Sequence, residues 1–196
     1  MRAQSITPRG GQETPWAPGL TEAAGTLNRV DTSVYIGGYL AAADPDLIKR
    51  NGITRIVKMF KDTGEYYGGS PRHPGVKYLV VPAEDVPGYD IRPGAAAALG
   101  FIQKGVAAGE KVLVHCHAGI SRSASVVLLY LMICRKMPLD IALARLRLVR
   151  PFVQPNPGFM AHLRATDARL QRLRVGDEQR YVAPPPVFPV PDACGH

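Results

Sequence analysis

Cys116 and Arg122 stand six positions apart in the stretch His115-Cys116-His117-Ala118-Gly119-Ile120-Ser121-Arg122-Ser123. An apolar run, Lys111–His115, leads into it and a longer apolar run leads out. A short turn between a buried strand and a buried helix aims successive backbone N–H groups into one concavity. The start of the helix adds positive potential there, so the turn is an anion site. Its lining would be His117, Ala118, Gly119, Ile120, Ser121 and Arg122. Gly119 permits a backbone conformation that a side chain would block. Arg122 can hold two oxygens of a phosphoryl group at once, which a lysine cannot do. A free thiol has a pKa of about 8.5, and a helix start with nearby cations lowers it. Cys116 is therefore expected as a thiolate beneath a bound phosphoryl group, placed for in-line attack to give a phosphocysteine. This chemistry calls for no metal and no cofactor. The plainer alternative is a buried structural cysteine.

The departing oxygen of a phosphoester needs a proton, and the water of the second step needs a base. Residues 82–91 offer Glu84, Asp85 and Asp90. Asp90 also reads as the cap of a helix that follows it, and Glu84 as a solvated side chain. Ser123 falls in the first turn of the helix after the loop.

The stretch HCHAGISRS resembles the His-Cys-x5-Arg-Ser signature of the protein tyrosine phosphatases, and most closely that of the dual-specificity branch. VYIGGYLAAAD, NGITRIV, VPAEDVPGYDI and RPFVQPNPGF occur in that family's order around it, so the resemblance runs from about Val34 to about Leu170. It implies hydrolysis of phosphotyrosine and phosphoserine or phosphothreonine in protein substrates. It also implies Asp85 as the acid, and a hydroxyl from Ser123 to the thiolate. His115 would support the thiolate from behind, and Asn156 would brace the loop. Two features depart from the pattern. Lys58-Met59-Phe60 stands where many relatives carry asparagine, and the tyrosine-containing loop that deepens tyrosine-specific pockets is missing, which implies a shallow pocket. The alternatives are a phosphoinositide phosphatase, although the loop holds no lysine, an RNA 5′-phosphatase favoured by net charge, and a phosphate-binding pseudophosphatase.

The elements that must position these residues alternate. Strand signals lie at 34–36, 53–59 and 76–81, and Lys111–His115 reads as a buried central strand. Helix signals lie at 45–50, 91–108, 123–135, Leu139–Val149 and 156–174. Asp44-Pro45 opens the first of these and Asn51-Gly52 stops it. Glycine and proline mark 60–75 as a loop. The expected fold is an α/β sandwich around a mostly parallel, twisted sheet, with one phosphatase domain over residues 32–174. Residues 1–31 read as a flexible arm and 175–196 as a tail rich in proline.

The chain of 196 residues carries 24 basic and 16 acidic side chains, a net charge of +8. That balance suits an anionic partner. A phosphorylated protein is the expected one, nucleic acid the weaker expectation, and the oligomeric state is left open. The three cysteines argue against a disulfide framework and for a reducing compartment, cytoplasmic or nuclear. Cys134 reads as a core residue, with a Cys116–Cys134 disulfide as a chemical option, and Cys194 as inert. No apolar run suggests membrane insertion.

Overall fold

The computed structural model describes the backbone of residues 18–61 and 72–180, and the side chains of residues 21–61 and 72–174. Four strands carry the expected parallel core: β2 (Val34–Gly37), β3 (Ile53–Lys58), β4 (Lys77–Val80) and β5 (Lys111–His115). A further strand, β1 (Leu27–Arg29), pairs antiparallel with β2, giving the order β1-β2-β5-β3-β4. β5 lies at the centre, flanked by parallel β2 and β3.

The apolar character of β2 and β5 follows from cover on both sheet faces. Val34, Ile36, Val57, Val112 and Val114 point to one face, where they join a core with α4 (Arg92–Ala107), α5 (Arg122–Cys134), α6 (Leu139–Val149) and α7 (Pro157–Arg180). Tyr35, Ile56 and Leu113 point to the other and meet α2 (Tyr39–Ala43) and α3 (Pro45–Asn51) through Ala42 and Ile48. α5 is apolar nearly all round because it is buried between the sheet and the outer helices. Register places Gly37, His115 and Lys58 side by side at the carboxyl ends of β2, β5 and β3. The loop after β5 therefore emerges where open α/β sheets bind ligands.

Local signals set several boundaries. The Asp44 carboxylate accepts hydrogen bonds from the amides of Asp46 and Leu47, and Gly52 ends α3 in the left-handed conformation. Asp90 accepts from the amide of Arg92 at the start of α4, one residue before the helix's own cap position, Ile91.

The expected arm at 1–31 is corrected. Residues 18–29 form α1 (Pro18–Gly25) and β1, with Ala23, Ala24 and Val30 buried. Three strand residues and one helix of mixed composition leave no periodic trace in sequence; contacts with distant residues hold them. The tail boundary is corrected too, because α7 runs past Arg174, which donates to Met132 O, to Arg180. Residues 1–17 of the expected arm, residues 62–71 of the expected loop and the proline-rich residues 181–196, Cys194 included, lie outside the described residues.

Candidate active site

Cys116 lies at the end of β5 with its side chain buried. Its Sγ accepts two hydrogen bonds, from the Gly119 amide at 3.2 Å and from Ser123 Oγ at 3.3 Å. Both donors stabilise negative charge on sulfur. Among the described residues the amides of Ala118, Ile120 and Ser121 donate to no protein acceptor. α5 begins at Arg122, so its first turn closes the same concavity. Gly119 adopts φ +69°, and a Cβ there would lie 2.5 Å from both Gly37 O and Arg150 Nη2. Only glycine fits that place.

Arg122 is also buried, and its Nη1 donates to Ala83 O at 3.3 Å. Its Nε lies 3.5 Å from Asp85 Oδ2 yet makes no hydrogen bond. That contact is Coulombic, and it leaves a buried guanidinium N–H with no acceptor in the protein. Asp85 reaches across from the loop after β4. Its Oδ1 accepts from Ser121 Oγ at 2.6 Å and from Asn156 Nδ2 at 2.9 Å. Asp90 stands elsewhere: its exposed carboxylate forms a fork with Arg92, which holds its pKa down to about 2. Glu84 is exposed. Of the three carboxylates, Asp85 alone contacts the phosphate loop.

The two histidines are neutral near pH 7. Burial pushes His115 down to about 3, and burial together with the Arg122 and Lys58 cations pushes His117 down to about 4. His115 Nδ1 reaches the Cys116 carbonyl at 3.3 Å, so it touches the backbone behind the Cys116 thiol. Phe60 packs edge-on against both rings. Lys58 is buried with its Nζ 4.5 Å from the Phe60 ring, and the Met59 amide donates to His115 O. This is how the unusual Lys58-Met59-Phe60 segment supports the loop.

Asn156 does three things at once. Its amide donates to Ser121 Oγ, its Nδ2 to Asp85, and its Oδ1 caps α7 by accepting from Phe159 N. The same turn presses against the loop that carries Asp85: a Cβ on Gly158 would lie 1.9 Å from Pro87 O.

Arg150 escaped the reading of the sequence. It is fully buried, and burial lowers its pKa to about 10, which leaves it cationic at neutral pH. Its guanidinium donates to Ala118 O and Gly119 O of the loop and to Ala23 O, Thr26 and Asn28 of the amino-terminal segment. Arg150-Pro151 lies within a quoted motif, but nothing in its spacing marks it as the bridge between β1 and the phosphate loop.

Cys134 is partly exposed, donated to by Gln103 Nε2, and burial pushes its thiol up. It sits at the last residue of α5, whereas Cys116 precedes the first. Twelve helical steps span about 18 Å, and a disulfide needs Cα atoms within about 7 Å. The Cys116–Cys134 option is excluded in the folded chain.

The dual specificity phosphatase catalytic domain matches residues 34–169. The chain is 34% identical to human dual specificity protein phosphatase 12 over 148 residues, covering 74% of this chain and 42% of that protein. It is 32% identical to human dual specificity protein phosphatase 22 over 137 residues, covering 70% and 71%. The chain thus spans less than half the length of the first of these relatives. Among solved structures, a mouse putative dual specificity phosphatase complexed with zinc tungstate is 32% identical, with TM-score 0.69 over 84% of this chain and 96% of that one. The geometry around Cys116 and these matches agree: the chain belongs to the dual specificity phosphatase catalytic-domain family.

Proposed function

We propose that this protein hydrolyses phosphotyrosine and phosphoserine or phosphothreonine in protein substrates through a phosphocysteine. One observation carries the reading: the Cys116 sulfur, held by Gly119 and Ser123, lies under a loop onto which Arg122 and Asp85 both converge. A phosphoryl dianion entering the loop meets free amides, and Arg122 Nε finds in it the acceptor that the protein lacks. Cys116 Sγ then attacks phosphorus while the ester P–O bond breaks, and Asp85 gives its proton to the departing oxygen. In the second step Asp85 takes a proton from water, the water oxygen bonds to phosphorus, and the P–S bond breaks. The Ser123 hydroxyl receives the charge returning to sulfur. The mouse relative is complexed with zinc tungstate, and tungstate is a tetrahedral oxyanion like phosphate, which supports a reading of this fold as one that takes such anions.

The test is turnover of an aryl phosphate with and without EDTA, by the wild type and by Cys116→Ser. Hydrolysis insensitive to EDTA and lost in the variant is expected. Hydrolysis retained by Cys116→Ser, or phosphopeptide binding without turnover by the wild type, would overturn the reading.

A further inference from the structure

A second concavity adjoins the phosphate loop. It is about 560 Å³ in volume and runs between α6 and α7, with Leu143, Pro155 and Met160 as its apolar part and Arg147 and Arg164 on its rim. Asn156 forms part of this wall while its side chain reaches Asp85 and its amide reaches Ser121. Gln154, also in the wall, donates its amide to Ile120 O. The groove and the phosphoryl site are thus opposite sides of one short segment.

The charges of the groove have one sign. No carboxylate lines it, and among the described residues neither Arg147 nor Arg164 has an ion-pair partner. Arg147 is partly pre-organised, because its Nε donates to Val153 O at 3.2 Å and fixes the guanidinium against the 151–155 segment. A cation held in advance loses less freedom when it binds an anion. Both side chains are exposed, so they remain available to a chain crossing the surface.

We propose that this groove selects substrates: it takes an acidic side chain, Asp or Glu, lying within about four residues of the phosphorylated one. An extended peptide advances about 3.3 Å per residue, so such a spacing bridges the thickness of the Asn156 segment. The apolar floor takes a neighbouring apolar residue, and the rim arginines take the carboxylate. This inference rests on the phosphatase reading above.

The experiment compares kcat/KM for phosphotyrosine peptides that differ only in carrying Glu, Ser or Lys at each of the four positions on either side. A small aryl phosphate, which cannot reach the groove, is assayed alongside. For the wild type, Glu at one or two positions should exceed Lys by about tenfold, as expected for two exposed ion pairs, and about 0.5 M salt should erase the difference. Arg147→Glu/Arg164→Glu should invert the preference and leave aryl phosphate turnover unchanged. Arg164→Glu alone touches no loop residue and should halve the effect if the double variant disturbs the fold. Equal kcat/KM for Glu and Lys peptides in the wild type would overturn the proposal. So would a preference that survives both variants. Should no phosphoester be turned over, the phosphatase reading fails by itself. Anisotropy of the same peptides then decides the groove, since charge-selective binding weakened in Arg164→Glu and lost in Arg147→Glu/Arg164→Glu supports it, and binding of a single-stranded oligonucleotide in preference to acidic peptide overturns it.

Discussion

At the scale of single residues, the site is built from groups whose alternatives are worse. Ser123 and Gly119 give the buried sulfur its only donors among the described residues. Asp85 is held by Ser121 and Asn156 beside Arg122, so its carboxylate faces whatever the loop binds. Asp85→Asn should slow an alkyl or phenyl phosphate by about a hundredfold or more, in line with the loss of a general acid. An activated aryl phosphate, whose oxygen leaves as a weak base, should suffer much less. Paired rates on the two substrates check this, with Asp90→Asn as the control; a leaving-group dependence in Asp90→Asn alone would contradict the assignment. Arg150 is the other decisive side chain. Arg150→Met keeps bulk but strips the carbonyls of Ala118 and Gly119 of their donor, while Ala23 O keeps Thr26, at about 1–3 kcal/mol for each group left unsatisfied. A lowered Tm and at least tenfold lower kcat/KM are expected, and unchanged aryl phosphate kinetics would remove Arg150 from the support of the loop.

Elements explain why one cation can join such distant parts. β1 closes the β2 edge of the sheet, and α1 packs on α2 and β2. Arg150, after α6, ties this cap to the phosphate loop. A chain starting at Thr32, the boundary that composition suggested, would expose the β2 edge and leave Arg150 with Ala118 O and Gly119 O as its acceptors, two of the six it now has. An unpaired edge also invites association. Denaturant unfolding should find that chain less stable than one starting at Pro18 by about 3 kcal/mol or more, since an uncovered buried guanidinium adds to the lost packing. Equal stability of the two chains would show the amino-terminal cap to be dispensable.

For the whole molecule, the neutral histidines couple folding to pH. His115 and His117 have folded pKa values of about 3 and about 4, against about 6.5 in an unfolded chain. Between these limits the unfolded chain binds the extra protons, so stability falls as pH drops below about 6.5. His117 is only half-buried, and solvent screening weakens its share. Unfolding at pH 5 should therefore take up between one and two protons, read as the pH slope of the unfolding free energy. His115→Asn should flatten that slope, and a flat profile between pH 7 and 5 in the wild type would show that the histidines are charged in the folded protein.

The order of residues along the chain was enough to propose Cys116 as nucleophile and Arg122 as clamp and to place the strand–loop–helix that carries them. These depend on neighbours in the chain: a β-branched run into a glycine-containing turn into an apolar helix. It also determined α3 and α6 closely, because Asp44, Gly52 and Pro138 act within one turn of where they stand. Asp85 was legible through resemblance; its choice over Asp90 became geometric only when Arg92 was found to hold the latter. The tertiary structure alone decided the rest. Arg150 reaches Ala23 across 127 positions and Tyr130 reaches Asp31 across 99, and no local pattern encodes such pairs. α1 and β1 exist because buried partners satisfy them, not because their own residues favour the conformation. Gly158 looks like an ordinary turn glycine until Pro87 of the acid loop is seen lying against it. The spacing that makes chemistry is local and so is written along the chain, whereas the bracing that holds it still is made by groups that meet only when the chain has folded.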